Sequence, residues 1–186
     1  MRLFIAINIP DKLRERIWDD ARPLREYGDA FRWVAREGMH LTIKFLGEVS
    51  VDREESVALA LESAATGISP FVLPLGGFGA FPSARRPRVV WAGCESPSAL
   101  QLLQRQVEAK MAEIGFQKEA RAFHPHLTLG RLRRNADTSQ LKGMVGLFDR
   151  LEFTGDVFVR SVELMLSELT RAGANYTVRK SVELSK

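Results

Sequence analysis

The spacing of apolar residues changes within the first 25 positions of the chain. Over residues 3–9 every second residue is a large aliphatic one, which predicts a β-strand with one buried face. The other face of this strand carries Phe4, Ala6 and Asn8. After Pro10 the apolar spacing becomes three to four residues, which is typical of an amphipathic helix. The residues on the apolar side of that helix are Leu13, Ile17, Ala21 and Leu24.

The same patterns predict further strands and helices along the whole chain. Helices are expected after the Asp-x-x-Glu signature at 52–55, from Ser96-Pro97 to Gly115, and over residues 139–147. Strands are expected over residues 31–34, 39–46, 71–81, 88–93, 116–123, 126–131, 151–158, 161–169 and 175–183. The last three strands have no helix between them, so they are expected to pair antiparallel, and an α+β fold is favoured.

Composition narrows the class of protein. A chain of 186 residues with 45% hydrophobic and 27% charged residues has the size of one domain, or of two small lobes sharing a core. The single cysteine, Cys94, excludes an internal disulfide and a zinc site built on cysteine clusters. No apolar run approaches the roughly 20 residues needed to cross a bilayer, and the start lacks a signal-peptide pattern. We therefore expect a cytoplasmic protein without a membrane partner.

A short repeat is the most informative feature of the sequence. His40-Leu-Thr-Ile recurs as His126-Leu-Thr-Leu, although the chain has only three histidines. From this composition, such a coincidence has a probability of roughly one in ten thousand or less. Both tetrapeptides lie in predicted strands, so alternation places His and Thr on one face and the aliphatic residues on the other. Two such strands facing each other would bring two imidazoles and two hydroxyls together.

This set of groups suits displacement at a phosphodiester without a metal. One neutral imidazole can accept a proton while the other, protonated, donates one. The hydroxyls of Thr42 and Thr128 can hydrogen-bond phosphate oxygens. A metal site is disfavoured because alternation turns His124 away from His126 and the chain has no further ligand cluster. Neither an ATP-binding Gly-x-x-x-x-Gly-Lys loop nor a Gly-x-Ser-x-Gly elbow is present.

Four stretches resemble the two-histidine (2H) phosphoesterase superfamily, and within it the bacterial and archaeal RNA 2′,3′-cyclic phosphodiesterases, first known as 2′-5′ RNA ligases. They are residues 2–7, the His40-Leu-Thr-Ile-Lys-Phe-Leu-Gly segment, residues 86–91, and the Phe123-His-Pro-His-Leu-Thr-Leu-Gly-Arg segment. The resemblance implies one bilobal domain over residues 1–186. Its two antiparallel sheets, with helices outside, would be related by a pseudo-twofold axis, and the two motifs would meet in the cleft between the lobes.

The resemblance also implies an activity and a role for each motif residue. The expected reaction opens a terminal ribose 2′,3′-cyclic phosphate of RNA or a nucleotide to a 2′-phosphate, with neither metal nor cofactor. His126 would be the proton acceptor that activates water, and His40 the proton donor to the departing 3′-oxygen. Thr42 and Thr128 would hold the non-bridging oxygens. Reversible 2′-5′ RNA ligation is the reverse direction of the same chemistry.

Two further residues are expected to bind substrate. Phe4, on the non-aliphatic face of the first strand, could stack on a nucleobase. Arg131 matches a position that the family places near the base, but strict alternation turns it away from His126, so a strand end or a bulge is required there. Phe45 is expected in the core, because it alternates with Ile43.

Other functions remain open at this point. The same residues could act on an ADP-ribose cyclic phosphate or as an RNA exonuclease, as in other 2H branches. A non-catalytic module that binds RNA ends would need the pocket but no turnover. The partner in the favoured interpretation is RNA, or a nucleotide, with a cyclic-phosphate end, and the protein is expected to be a monomer.

Overall fold

The computed structural model describes residues 1–170 and 173–185. Its strands are β1 (Arg2–Asn8), β2 (Phe31–Trp33), β3 (His40–Glu48), β4 (Phe71–Ser83), β5 (Arg86–Cys94), β6 (His126–Leu132), β7 (Thr154–Val159), β8 (Ser161–Thr170) and β9 (Gly173–Glu183). Its helices are α1 (Asp11–Asp20), α2 (Arg22–Arg25), α3 (Glu54–Ala65), α4 (Ser98–Glu113) and α5 (Val145–Arg150). The mixture of helices with antiparallel strands confirms the α+β class.

The strands form two similar halves joined at the centre. Their order is β7-β4-β5-β6-β3-β1-β8-β9, and β2 pairs with β6. The two expected sheets are thus one sheet by hydrogen bonding, because the inner strands β3 and β6 pair where Leu41 faces Leu127. Reading outward from this junction, β6-β5-β4-β7 matches β3-β1-β8-β9. The two repeated motifs therefore begin the two central strands.

One face of the sheet is buried against helices. The aliphatic residues of β1 lie in the main hydrophobic core, as alternation predicts, whereas Phe4 and Ala6 form a separate small cluster with Met165 on the other face. Helices α3 and α4 bury the apolar positions expected from their spacing, which are Val57, Leu61, Ala64, Leu100, Leu103, Val107 and Met111. The helices thus cover the aliphatic face and leave the histidine face of the central strands open.

Several predicted boundaries differ from the structure. The strand expected over residues 116–123 is absent, and that segment is instead attached through its backbone to Lys44 and Glu108. The helix expected over 139–147 is a 3₁₀ helix, Thr138–Met144, followed by α5. The first helix breaks at Ala21, and Pro23 lies in the first turn of α2. In the described part of the chain, no helix has the length and apolarity to span a bilayer.

Candidate active site

His40 and His126 are the first residues of β3 and β6, and backbone carbonyls hold both imidazoles in the same way. The Nδ1 of His40 lies 2.8 Å from the carbonyl oxygen of Gly38, and the Nδ1 of His126 lies 2.7 Å from that of His124. A carbonyl oxygen can only accept, so each Nδ1 carries the proton and donates it. Each neutral imidazole therefore keeps an unprotonated Nε2 for proton transfer.

The two threonines lie on the same strand faces as the histidines. In β3, His40 pairs with Asn8 and Thr42 with Ala6, and these two partners are two residues apart on β1. Directly paired residues of antiparallel strands point to the same face. The corresponding register in β6 pairs His126 with Gly93 and Thr128 with Trp91. Each central strand thus presents one imidazole and one hydroxyl on the open face of the sheet.

Arg131 lies on this face because β6 contains a bulge. The register shifts between Val90 and Trp91 of β5, so that Leu129 has no partner on β5 and Arg131 pairs with Val89. Since Val89 and Trp91 share a face, the extra residue returns Arg131 to the face of Thr128. The positive charge of Arg131 also lowers the pKa of both His40 and His126, which puts the guanidinium within electrostatic reach of the pair.

Phe45 is exposed, and its prediction as a core residue is wrong. A bulge in β3 skips Ile43, so Phe45 pairs with Phe4 and joins the face of His40 and Thr42. Its side chain is 61% exposed. Phe45 stands five residues after His40, as Arg131 stands five after His126. Strict alternation misplaces both residues for the same reason, which is the extra residue in the strand.

Phe4 lies on the predicted face, but it is buried and not open to a ligand. Only 2% of its surface is exposed. Its ring centroid is 4.7 Å from that of His40, 5.3 Å from that of Tyr176 and 6.0 Å from that of Phe45. This packing leaves Phe4 little surface on which a base could stack, so the burial does not support its expected role in binding substrate. The ring of Phe4 packs against the imidazole of His40.

Burial governs the ionisation of the two histidines. Desolvation lowers the pKa of His40 to about 4, with a smaller lowering contribution from Arg131 and an opposing one from the Gly38 hydrogen bond. Burial also lowers the pKa of His126, where Arg131 and His124 act in the same direction and the bond to the His124 carbonyl opposes them. Both imidazoles are therefore neutral at neutral pH in the free protein. A bound anion would favour protonation of either one.

Each half of the molecule has a cavity beside its histidine. The larger, which we call the His126 cavity, has a volume of about 480 Å³ and lies between β4, β5, β7 and the segment before β6. The smaller cavity has a volume of about 260 Å³, and the residues that line it include His40, Tyr176 and Arg14. His124 borders the His126 cavity with His126 itself, because it precedes the strand and strand alternation does not apply to it.

Within the described part of the chain, neither a metal-binding cluster nor the cysteine offers a second candidate site. Among residues 1–170 and 173–185, no group of three or more His, Cys, Asp or Glu side chains could hold a metal ion. Burial raises the pKa of the Cys94 thiol to about 12, which removes it as a thiolate nucleophile. The two imidazoles can accept and donate protons, and the hydroxyls of Thr42 and Thr128 and the guanidinium of Arg131 are groups that can bind phosphate oxygens.

The sequence did not mark two aromatic residues that the structure brings to the histidines, nor a buried carboxylate on the same face of the sheet. The ring of Tyr176 meets His40 edge-on at 5.0 Å, and that of Phe81 meets His126 edge-on at 4.9 Å. Glu163 is buried on the same face as Ala6, and it accepts hydrogen bonds from Ser161 and from the backbone of Asn8. These residues lie on β4, β8 and β9, far in sequence from either motif.

Comparison with known proteins shows the family of this chain. The family model of the 2'-5' RNA ligase superfamily matches residues 9–168. The RNA 2',3'-cyclic phosphodiesterase of Methanothermobacter thermautotrophicus is 32% identical over 177 residues, covering 95% of each chain. The protein of the same name from Escherichia coli K12 is 34% identical over 188 residues, covering 100% of this chain and 97% of its own.

Solved structures show the same fold over the whole chain. The protein TT0787 of Thermus thermophilus has a TM-score of 0.83 and 26% identity, covering 99% of this chain and 98% of its own. Escherichia coli LigT complexed with 3'-AMP has a TM-score of 0.76 and 29% identity, covering 100% and 98%. The similarity therefore includes both halves and the junction where the two histidines lie.

Proposed function

Because this chain belongs to the 2'-5' RNA ligase superfamily, we propose that it hydrolyses terminal ribose 2′,3′-cyclic phosphates of RNA to 2′-phosphates by two-histidine acid–base catalysis. The observation that carries the proposal is the matched pair of imidazoles at the start of the two central strands. Each Nδ1 is engaged by a backbone carbonyl, so both reactive Nε2 atoms are available. The names of the full-length relatives support the same substrate class.

In the proposed reaction, the imidazoles act on opposite sides of the phosphorus. The Nε2 of His126 removes a proton from water, whose oxygen forms a bond to phosphorus. The bond to the 3′-oxygen breaks, and that oxygen takes a proton from the Nε2 of His40. Attacking and leaving oxygens lie roughly in line in such displacements, which requires the acid and the base on opposite sides. This assignment of acid and base follows the family resemblance.

The remaining groups of the site act on the charge and position of the phosphate. The hydroxyls of Thr42 and Thr128 donate hydrogen bonds to non-bridging oxygens. Arg131 offsets the negative charge that develops on them in the transition state. Phe45 offers the exposed aromatic ring for a base, and Phe4 keeps the His40 imidazole in place.

The lowered pKa values of the two histidines affect how the activity is expected to depend on pH. His40 must be protonated to act as an acid, yet its pKa in the free protein is about 4. A dianionic transition state between His40 and His126 raises that pKa, so the proton arrives with or after the substrate. The pH profile of kcat, which reports the ionisation of groups in the substrate complex, is accordingly expected to be bell-shaped.

The direct test incubates the protein with a cyclic-phosphate-ended RNA and with a nucleoside 2′,3′-cyclic phosphate in excess chelator. We expect a 2′-phosphate product that persists without metal. Removal of one acid–base group in His40→Ala or His126→Ala should lower kcat about 10²- to 10⁴-fold. The matched control is His124→Ala, which removes the third histidine without touching either Nε2.

Three results would contradict the proposal. Binding of the RNA without turnover would favour a module that recognises RNA ends. Turnover of an ADP-ribose cyclic phosphate or of internal RNA linkages, with neither cyclic-phosphate substrate cleaved, would favour another 2H substrate. Loss of activity in chelator would contradict the metal-free mechanism. Sedimentation of the active protein tests the further expectation that it acts as a monomer.

A further inference from the structure

Two arginine side chains lie side by side on the open face of the sheet. Arg32 of β2 pairs directly with Arg131 of β6, and directly paired residues of antiparallel strands point to the same face. Phe31 and Trp33, which flank Arg32, pack in or against the main core on the opposite face. Arg32 therefore projects beside Arg131 on the face that carries both motifs, and both arginines are exposed.

A direct pair of like charges is unfavourable in a sheet. Cross-strand partners have Cβ atoms about 4.5 to 5.5 Å apart, and like charges at this separation destabilise the pair. In the part of the chain that the structure describes, no carboxylate forms an ion pair with either guanidinium. By contrast, Arg14, Arg36 and Arg179 are each paired with an acidic side chain. A bound anion would relieve the repulsion between Arg32 and Arg131.

The segments around this pair concentrate the positive charge of the molecule. Residues 28–34, the start of β5 at 85–89 and the end of β6 at 130–134 lie together, because β2 and β5 both pair with β6. The three segments carry seven arginines and one acidic residue, Asp29. Their positive excess is larger than the net charge of +4 of the whole chain, so the rest of the molecule is slightly acidic. Such a concentration of charge attracts a polyanion such as RNA.

Arg32 is the more distant of the two arginines from the reacting groups. β2 pairs with β6 over residues 130–132, at the end of the strand, whereas His126 is the first residue of that strand. The charge of Arg131 lowers the pKa of both His40 and His126, and the charge of Arg32 is not among the causes of either shift. A reacting phosphate held by Arg131 therefore leaves the Arg32 guanidinium for a second anion.

In an RNA substrate, the nearest second anion is the phosphodiester that joins the terminal nucleotide to the rest of the RNA. We propose that Arg32 binds this phosphodiester, on the 5′ side of the terminal nucleotide, while Arg131 binds the reacting phosphate. The inference rests on the proposed function, because it assigns a second contact to the same substrate. A free nucleoside 2′,3′-cyclic phosphate lacks this phosphodiester, so Arg32 makes the site prefer an RNA end. Arg32 touches no reacting atom, and it acts on specificity and not on the chemical step.

The test compares two substrates in the variant Arg32→Gln, which removes the charge and keeps most of the side-chain length. The measured quantity is kcat/KM for a cyclic-phosphate-ended RNA divided by kcat/KM for the nucleoside 2′,3′-cyclic phosphate. This ratio should fall roughly 3- to 10-fold, as expected for one exposed charged contact. The loss should appear in KM for the RNA, because the contact is equally strong before and during the reaction. A general distortion of the site lowers both constants and cancels in the ratio.

Two further measurements identify a phosphate as the partner of Arg32. A 5′-phosphate added to the nucleoside 2′,3′-cyclic phosphate supplies the anion without further RNA, so it should lower KM more for wild type than for Arg32→Gln. Added salt should narrow the difference between the two proteins on RNA, because screening weakens exposed ion pairs.

The matched control is Arg105→Gln, which removes the charge of an exposed arginine on α4, in the helical layer. It should leave the substrate ratio unchanged. Arg32→Lys keeps the charge at the site, and it should retain most of the wild-type ratio.

The outcomes separate this inference from the proposed function. A wild-type substrate ratio in Arg32→Gln overturns the contact, whether both substrates are cleaved normally or both lose activity equally. A similar fall of the ratio in Arg105→Gln overturns it as well, because it would show a general effect of net charge. In each of these cases, hydrolysis of the cyclic-phosphate RNA by wild type leaves the hydrolase proposal standing. Absence of hydrolysis by wild type overturns the proposed function itself, and this inference with it.

Discussion

Replacing His40 by glutamine should make the protein more tolerant of acid. The neutral imidazole of His40 is favoured in the folded state, because burial lowers its pKa from 6.5 to about 4. The unfolded chain therefore binds a proton at this residue more readily than the folded one between these two values. The stabilising contribution is complete above pH 6.5 and is lost progressively as the pH falls toward 4. The glutamine side chain does not take up a proton in this pH range, so the substitution removes this contribution to the pH dependence of stability.

The size of the effect follows from the two pKa values. With a pKa of 6.5 unfolded and about 4 folded, His40 costs the folded state about 2 to 3 kcal/mol at about pH 4.5 relative to high pH. At about pH 7 the corresponding cost is a few tenths of a kcal/mol or less. Wild type should therefore lose about 2 kcal/mol more than His40→Gln between these conditions.

The assay is urea denaturation followed by tryptophan fluorescence at both pH values. The change in unfolding free energy between the two pH values is compared for wild type and His40→Gln, so any constant cost of the substitution cancels. Glu163, whose pKa is raised by burial, favours the folded state toward acid, but it is present in both proteins and cancels too. His124→Gln is the control, and it should retain the wild-type pH dependence because His40 is still present.

An equal loss of stability in wild type and His40→Gln would refute this reasoning. It would mean that His40 titrates alike in folded and unfolded chains, so that packing against Phe4 and Tyr176 does not desolvate it. The catalytic proton would then not need to arrive with the substrate, since a histidine of ordinary pKa is partly protonated near neutrality.

Two other substitutions test the exposed ring of Phe45 and the ion pair between Lys44 and Glu108. Phe45→Ala should raise KM for a cyclic-phosphate RNA about 5- to 100-fold through lost stacking and leave the free energy of unfolding unchanged. The control Leu59→Ala removes a side chain on α3 that is similarly exposed, at 58%, and should alter neither quantity. An unchanged KM in Phe45→Ala would exclude Phe45 from the site. Lys44→Met should cost about 3 kcal/mol in urea denaturation, because it leaves Glu108 without its buried partner at 2.8 Å. Adding Glu108→Leu should recover part of that loss by removing the unpaired carboxylate, although the backbone bonds to Gln117 and Glu119 stay lost. A double variant no more stable than Lys44→Met would show that the unpaired charge is not the cause.

Much of the fold follows from local patterns in the sequence. The helical spacing of α3 and α4 predicts their buried faces correctly, and the period-two run of β1 identifies the face that packs in the main core. The opposite face of β1, with Phe4 and Ala6, is buried as well, which the alternation does not predict. The strand predicted over residues 116–123 does not form, because backbone groups of this segment bond to the side chains of Lys44 and Glu108. No local pattern reveals such distant partners.

The two His-x-Thr motifs could be found from the sequence because repetition in so short a chain is improbable. The structure brings them to adjacent central strands, and their chemical roles stay predictions until the variants are measured. The side chains around them were harder to place. Phe45 and Arg131 each follow a bulge, and a bulge is defined by the partner strand, β1 for one and β5 for the other.

By itself the sequence determined the class of fold, the faces of its regular elements and the pair of histidines. Each of these depends on residues close together in the chain or on an exact repeat. Only the tertiary structure decided which aromatic rings surround each imidazole, how far burial lowers its pKa, and that a cavity adjoins His126. These properties arise where β1, β4, β5, β8 and β9 meet the central strands, and packing between distant segments has no local signature in the sequence.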